Sequence, residues 1–231
     1  MGRVMVVGDV HGCSSELRDI VDKFAPSSDD TIVLAGDVVD KGPDSKGVIK
    51  IARSINAKII MGNHDDKMVR WCRWQKSGKP NPVRVSDWKK SVWSSMDPDD
   101  IQWISDAPYY MDVGHGFTVV HGGCLPGVPI VKQKPSIMMR LRRINAAGKY
   151  VDDSTPDSID WQSHWDGPQS LIVGHNVHSL NRPRVDNLSD DRQIWNIDTG
   201  CVYGGHLTGI IVGSRDIIQV KARKSYCSSR D

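Results

Sequence analysis

Three glycine-flanked turns in the first third of the chain carry side chains that can bind metal ions. They are Gly8-Asp9-Val10-His11-Gly12, Gly36-Asp37-Val38-Val39-Asp40-Lys41-Gly42-Pro43 and Gly62-Asn63-His64-Asp65. Each turn follows a short apolar segment, and glycine allows a sharp turn and close approach of the backbone to a ligand. His121 and His175 follow apolar segments in the same way. Five strand ends could therefore direct metal-binding side chains to one place.

The types of these side chains indicate a centre for two metal ions. Carboxylate, imidazole and amide oxygen together suit manganese, iron, zinc or nickel better than calcium or magnesium, and we expect manganese first. Six donors exceed what one catalytic ion needs, whereas two ions about 3.5–4 Å apart that share a carboxylate would use them all. The predicted ligands are Asp9 and His11 for the first metal, Asp37 as the bridge, and Asn63, His121 and His175 for the second.

Each of these residues also has an ordinary structural interpretation. Aspartates in glycine-rich loops are commonly turn residues or helix caps, and a single histidine such as His121 is more often part of a core than a ligand. The ordered set of turns argues against this interpretation for the group as a whole. The other histidines lack such support and are expected to be structural or on the surface: His115, His164, His178 and His206.

The elements that must position the turns alternate between strand and helix. Short apolar segments rich in β-branched residues predict strands at 4–7, 31–35 and 58–61. Helices are expected around 17–24, at 45–55 and at 65–74. Such a βαβαβα order predicts a parallel sheet with right-handed crossovers. Ligands of these sheets bind at the carboxyl ends of the strands, where the three turns lie.

Two later stretches interrupt the strand pattern and are expected to be cap-like insertions of one domain spanning 1–231. Residues 75–108 are polar and rich in tryptophan, with short helices expected at 87–96 and 99–104. Residues 126–166 are punctuated by prolines and are expected to be irregular. The remaining pattern predicts strands at 109–112, 117–120, 171–173, 194–197, 207–212 and 217–220, and a polar tail at 221–231.

Composition excludes several classes of protein. The chain of 231 residues is 39% hydrophobic, enough to bury a substantial core. Its net charge of +2 is too small to imply nucleic-acid binding. No apolar run approaches the roughly 20 residues of a membrane span, so we expect no membrane partner. Five scattered cysteines without CxxC spacing indicate a reducing compartment, and we expect a cytoplasmic location.

The ordered turns resemble the signatures of the calcineurin-like metallophosphoesterases, specifically their phosphoprotein-phosphatase branch. That family's GDxHG, GDxxDRG and GNH[ED] motifs correspond to residues 8–12, 36–42 and 62–65. His121-Gly122-Gly123 and Gly174-His175 match its downstream metal histidines, and the resemblance covers roughly residues 4 to 212. It implies an α/β fold, a β-sandwich of two mixed sheets flanked by helices, with the dimetal site at the strand C-termini.

The resemblance also implies a mechanism. A water bridging two divalent ions loses a proton near neutral pH and attacks phosphorus in line. The family's GNH histidine protonates the leaving oxygen and is oriented by the second aspartate of GDxxD, here His64 and Asp40. Lys41 replaces the phosphate-binding arginine, keeping its charge but not its bidentate geometry. Arg140 is the expected second phosphate contact, whereas Arg142 and Arg143 are interpreted as a solvated helix face.

The substrate is left open between several phosphate compounds. Residues 196–208 resemble the tail motif of symmetrical diadenosine tetraphosphate hydrolases and related ApaH-like phosphatases, although His206 stands where those usually have lysine. A dinucleoside polyphosphate is therefore the leading substrate. The alternative is a serine/threonine or dual-specificity protein phosphatase of phage or bacterial type, acting on phosphoproteins. Polyphosphate or a 5′-phosphorylated RNA is a third possibility, and nucleic acid is expected only in that role.

Two further interpretations are weighed against this one. A metal-binding interaction module without catalysis is disfavoured, because such a module would not need the proton donor His64 or its partner Asp40. The eight tryptophans could stack on nucleobases, but most are expected to pack within the first insertion. Tyr203, in a glycine-rich loop beside the site, is the better stacking candidate and is still expected to be structural.

Overall fold

The computed structural model describes residues 2–228. Its α-helices are α1 (Ser14–Phe24), α2 (Ser45–Ser54), α3 (Asn63–Lys76), α4 (Asp87–Ser94), α5 (Pro98–Ser105) and α6 (Pro135–Met138). Its strands are β1 (Val4–Val7), β2 (Thr31–Leu34), β3 (Lys58–Ile59), β4 (Tyr110–Gly114), β5 (Phe117–Val120), β6 (Arg143–Ile144), β7 (Tyr150–Val151), β8 (Ile159–Asp160), β9 (Ser170–Val173), β10 (Arg184–Asn187), β11 (Gln193–Asn196), β12 (His206–Val212) and β13 (Ile217–Lys221).

Two mixed five-stranded sheets form the body of the protein. The first has the order β13-β12-β1-β2-β3, and the second has the order β10-β11-β9-β5-β4. Strands β1, β2 and β3 are mutually parallel, as are β5, β9 and β11. The other pairs are antiparallel: β12 with β1 and β13, β10 with β11, and β4 with β5. The predicted α/β fold with two mixed sheets flanked by helices is confirmed.

The sheets are buried on both faces because side chains alternate along each strand. In β1, Met5 packs with Leu17 of α1, whereas Val6 packs with Val119 and Ile172 of the second sheet. The shared apolar layer between the sheets holds them face to face, and the helices cover the outer side of the first sheet. Burial on two sides explains why the strands read as continuous apolar runs.

The two stretches that interrupt the strand pattern differ in how well they were predicted. Residues 75–108 form the short helices α4 and α5 as expected, and Trp93 packs against Trp71 of α3 with ring centroids 5.8 Å apart. The expectation of irregular structure at 126–166 is wrong in part, since α6 and a three-stranded sheet of order β7-β6-β8 lie there. Strands of two residues are too short to show the alternation that predicts a strand. The division into one domain with two insertions stays a prediction.

The C-terminal segment, predicted as a polar tail, folds back against the body as far as residue 228. The backbone N–H of Tyr226 donates to the carbonyl of Val202 over 2.9 Å, and its hydroxyl donates to Glu16 Oε1 over 2.7 Å. The backbone of Arg223 donates to the same oxygen over 3.0 Å. Residues 229–231 of the predicted tail lie outside the described residues. Within residues 2–228, no helix has the length and apolar character needed to cross a membrane.

Candidate metal centre

Strand ends of both sheets supply the donors at this site. In the first sheet, Asp9 and His11 follow β1, Asp37 follows β2, and Asn63 begins α3 after β3. In the second sheet, His121 follows β5 and His175 lies two residues beyond the end of β9. Parallel neighbouring strands end at the same edge of a sheet, so their turns meet there.

The six predicted ligands converge around Asp37. Its Oδ2 lies 3.6 Å from His11 Nε2 and 3.3 Å from His121 Nε2. His121 Nε2 is also 3.2 Å from Asn63 Oδ1, and His11 Nε2 is 3.8 Å from Asp9 Oδ2. Two sets of donor atoms each lie within 4.8 Å of one another and share Asp37, one with His11 and His64, the other with His121 and His175.

Hydrogen bonds to backbone carbonyls orient two of the histidines. His11 Nδ1 lies 3.1 Å from the carbonyl of Val39, and His121 Nδ1 lies 2.8 Å from that of Ala35. A ring that donates from Nδ1 leaves Nε2 directed at the neighbouring aspartate, which is the usual arrangement for a metal-binding histidine.

His175 is held by two contacts of a different kind. Its backbone N–H donates to Asp9 Oδ1 over 3.0 Å, which links the two sheets at the site. Its Nε2 accepts from Arg142 Nε over 3.1 Å. Its ring centroid lies 5.2 Å from that of His121.

The backbone at the site adopts positive φ values, which residues with a side chain rarely adopt. Gly36 has φ of 92°, and a Cβ there would lie 2.7 Å from His121 Nδ1. Other site residues have φ between 45° and 78°, and they are His11, Asp37, Asp40, Lys41 and His175. Non-glycine residues in this region cost on the order of 1–3 kcal/mol each and cluster at functional sites.

The carboxylates of the site are buried, and the positive charge around them is too small to balance all of them. Asp9, Asp37 and Asp198 are 4%, 1% and 6% exposed. Burial, together with Asp198, raises the pKa of Asp9 well above its usual value, and burial raises the pKa of Asp198 to about 6. Burial acts in the same direction on Asp37, but His121 and His64 hold its pKa well below the usual value. Three neighbouring acids cannot all ionise without added positive charge.

The histidines of the site respond to the same imbalance. Although burial favours its neutral ring, Asp37 and Asp9 raise the pKa of His121 to about 10. Burial lowers the pKa of His11 to about 3 and that of His175 well below its usual value. Their rings are therefore neutral donors near pH 7. This donor set fits two divalent cations.

A hydrogen-bonded pair lies beside the donor cluster. His64 Nδ1 is 2.6 Å from Asp40 Oδ2, and Lys89 Nζ donates to the same oxygen over 2.6 Å. Burial acts to raise the pKa of Asp40, but these two partners lower it to about 2, so the carboxylate stays ionised at neutral pH. The ring of His64 meets that of His11 edge-on at 4.9 Å. Lys89 lies in α4, and only the basic composition of residues 75–108 could have indicated this contact.

A cavity of about 510 Å³ opens over these groups. Lys41 lines it and donates from Nζ to the hydroxyl of Tyr203 over 2.6 Å. Asp198 also lines it and was missed, although it follows β11 as the predicted ligands follow their strands. His206, by contrast, lies 2.7 Å through Nδ1 from the carbonyl of Leu180, in agreement with a structural role.

The arginines near the second donor set, which contains His121 and His175, do not lie where they were expected. Arg142 lines the 510 Å³ cavity, whereas Arg140 lines an adjoining cavity of about 380 Å³ and lies 3.3 Å from Asp66. The expectation of a solvated helix face at Arg142 and Arg143 is wrong, because α6 ends at Met138 and Arg143 pairs with Asp160 from strand β6.

Residues 2–213 match the family model described as calcineurin-like phosphoesterase. The chain is 28% identical to the asymmetrical bis(5′-nucleosyl)-tetraphosphatase PrpE of Bacillus velezensis, over 97% of this chain and 95% of that one. It is 26% identical to the symmetrical bis(5′-nucleosyl)-tetraphosphatase of Aromatoleum aromaticum, over 96% and 97%.

Solved structures agree with this assignment. A protein provisionally identified as a diadenosine tetraphosphatase superposes with a TM-score of 0.81 at 27% identity, covering 96% of this chain and 94% of that one. A serine/threonine phosphatase from Saccharomyces cerevisiae shares the fold, with a TM-score of 0.61 at 13% identity over 96% and 81%. The chain therefore belongs to the calcineurin-like phosphoesterase family and is a hydrolase of phosphate esters or anhydrides.

Proposed function

We propose that this protein hydrolyses dinucleoside polyphosphates at a centre of two divalent cations. The observation that carries the proposal is the position of Asp37 between His11 and His121, with its Oδ2 3.6 Å and 3.3 Å from their Nε2 atoms, beside the hydrogen-bonded pair His64 and Asp40. Relatives named bis(5′-nucleosyl)-tetraphosphatase, of both the symmetrical and the asymmetrical kind, match almost the whole chain and support this substrate class.

The metal ligands are proposed as the sequence assigned them. Asp9, His11 and Asp37 would hold one cation, and Asp37 with Asn63, His121 and His175 would hold the other. Manganese is the proposed metal, with iron, zinc and nickel as alternatives. Bound cations would supply positive charge that acidifies coordinated water and polarises the phosphoryl oxygens.

The protein's own residues bind the phosphate and move a proton. Lys41 and Arg142 present cationic groups to the cavity and can contact phosphate oxygens, with Arg140 at its side. The ionised Asp40 accepts a hydrogen bond from His64 Nδ1–H and stabilises the ring when it is doubly protonated. His64 can then donate its Nε2 proton to the leaving oxygen.

A product assay separates this proposal from its rival, a serine/threonine or dual-specificity protein phosphatase. Purified protein with manganese is incubated with diadenosine tetraphosphate, and the nucleotides are separated by chromatography. Two ADP molecules would indicate symmetrical cleavage, and ATP plus AMP would indicate asymmetrical cleavage; either supports the proposal. Activity confined to phosphopeptides, with no nucleotide released, would reject it.

A reducing, cytoplasmic compartment is proposed as the place of this reaction. The support is the state of four buried cysteines, whose thiols are free: Cys13, Cys72, Cys124 and Cys201. Disulfides are expected in proteins of oxidising compartments and are rare in the cytosol.

A further inference from the structure

A second and larger cavity lies next to the metal centre, between the first insertion and the C-terminal segment. Its volume is about 850 Å³, and we call it the basic groove. Its lining includes five cationic side chains, and no aspartate or glutamate is among the described residues that line it. The cations are Lys41, Lys67, Arg84, Lys89 and Lys224.

Part of this positive charge is not neutralised within the protein. Among residues 2–228, no carboxylate lies within ion-pair distance of Lys67 or Arg84, although Lys41 and Lys89 are engaged with Tyr203 and Asp40. Arg84 is exposed and Lys67 is half-buried. A concave surface with one sign of charge concentrates ligands of the opposite sign. The groove thus favours a ligand with several negative charges.

An aromatic side chain stands at the same groove. Trp88, in α4, is 49% exposed, which is unusual for so large an apolar ring. No other aromatic ring of the described residues pairs with it. An indole face beside cationic groups is the combination that binds a nucleotide, because nucleobases stack on aromatic rings while phosphates meet the cations.

The groove is continuous with the cavity of the metal centre. Lys41, Ser225 and Cys227 line both. A ligand that places one phosphate at the metal centre can therefore extend past Lys41 into the groove. Phosphate groups beyond the reacting one would lie near Arg84 and Lys67.

We propose that the basic groove binds the second nucleotide half of a dinucleoside polyphosphate, with Arg84 and Lys67 contacting its phosphates and Trp88 stacking on its base. This inference rests on the proposed tetraphosphatase function and names the residues that select a long substrate. It predicts that the groove contributes to binding of diadenosine tetraphosphate and nothing to a substrate too short to reach it.

The test compares two substrates in the manganese-loaded full-length protein. Arg84→Ala and Trp88→Ala should each lower kcat/KM for diadenosine tetraphosphate by about tenfold, mainly through KM, since a charged hydrogen bond to phosphate and stacking on one base are each commonly worth a factor of about that size. Activity on p-nitrophenyl phosphate should change by less than about twofold. Trp88→Phe should restore most of the loss, because it keeps an aromatic face.

Matched controls make the result specific. Arg18, exposed on α1 and outside both cavities, is replaced by alanine to remove an equal charge elsewhere. Circular dichroism and thermal melting establish that each variant folds. Equal losses on both substrates, losses in Arg18→Ala as large as in Arg84→Ala, or unchanged kinetics with diadenosine tetraphosphate would overturn the groove assignment.

Failure of the proposed function would be visible separately. If the wild type hydrolyses p-nitrophenyl phosphate but not diadenosine tetraphosphate, the substrate assignment fails. The groove is then tested alone, by measuring how strongly ATP inhibits hydrolysis of p-nitrophenyl phosphate with manganese in excess. Inhibition about tenfold weaker in both Arg84→Ala and Trp88→Ala would still support a nucleotide site in the groove. Equal inhibition of wild type and variants would overturn the groove assignment. A loss of phosphopeptide turnover in Arg84→Ala that exceeds its loss of ATP inhibition would overturn it as well.

Discussion

The metal centre and the basic groove adjoin each other but are built in opposite ways. The centre is buried, rich in carboxylates, and formed at strand ends of two sheets that pack on a common core. The groove is cationic and is formed by α3, the first insertion and the C-terminal segment. Lys41 belongs to both, because it follows Asp40 in the turn after β2 and lines both cavities.

This contrast separates two requirements of the proposed reaction. Side chains that must hold cations within a few tenths of an ångström belong on rigid elements with fixed neighbours. Side chains that select the remote part of a substrate can come from loops and short helices, which vary more readily. Substitutions in the centre should therefore affect every substrate, and substitutions in the groove only long ones.

The largest effect is expected at the shared carboxylate. Asp37→Asn removes the negative charge that both proposed cation sites use, so turnover of every substrate should fall on the order of a thousandfold or more. Metal content measured by mass spectrometry should fall with it. Asp190→Asn, at a side chain that is 85% exposed, is the control and should change neither. Retained metal and activity in Asp37→Asn would contradict the bridging assignment.

A smaller effect, without metal loss, is expected at the proposed proton donor. His64→Asn should lower kcat by roughly 10²–10⁴-fold, the range typical of general acid catalysis, while metal content is retained. The loss should be smaller with p-nitrophenyl phosphate than with phenyl phosphate, because p-nitrophenolate is the better leaving group and needs less protonation. Unchanged kcat on diadenosine tetraphosphate would show that His64 is not the proton donor.

Lys89 belongs to both regions, because it lines the groove and also donates to Asp40 beside the metal centre. Lys89→Ala removes one of the two partners of Asp40 Oδ2, and loss of such a supporting contact commonly costs about tenfold or more. Both short and long substrates should lose activity to a similar extent, unlike in Arg84→Ala. A loss confined to diadenosine tetraphosphate would place Lys89 functionally in the groove instead.

The smallest effect is expected where the C-terminal segment is anchored. Tyr226→Phe removes a hydrogen bond to Glu16, which is fully buried and has its other oxygen, Oε2, without a partner among the described residues. The free energy of unfolding should fall by about 1–3 kcal/mol. Thermal melting measures it, with Tyr150→Phe, at a residue 40% exposed, as the control. Equal stability of the two variants would contradict the anchoring role.

The sequence predicted the centre far better than the groove, for a physical reason. Asp9 and Asp37 lie two and three residues beyond the ends of apolar strands, and strand order alone brings such turns to one edge. Asp198 obeys the same rule and could have been found by applying it to β11. Lys89 and Arg142 reach the centre from insertions, where no periodicity fixes the direction of a side chain.

The fold shows the same division between regular and irregular segments. The long buried strands were predicted closely, because burial on both faces produces an apolar run. Strand β10 was missed, because it lies at a sheet edge and alternates half-buried with exposed residues, most of them polar. The two-residue strands β6, β7 and β8 were missed for lack of length.

Anomalous X-ray scattering from crystals grown with manganese would locate the two cations proposed to share Asp37 in one cavity. We expect two manganese peaks, one beside Asp9 and His11 and one beside Asn63, His121 and His175, with Asp37 between them. A single peak, or peaks away from these side chains, would contradict this proposal.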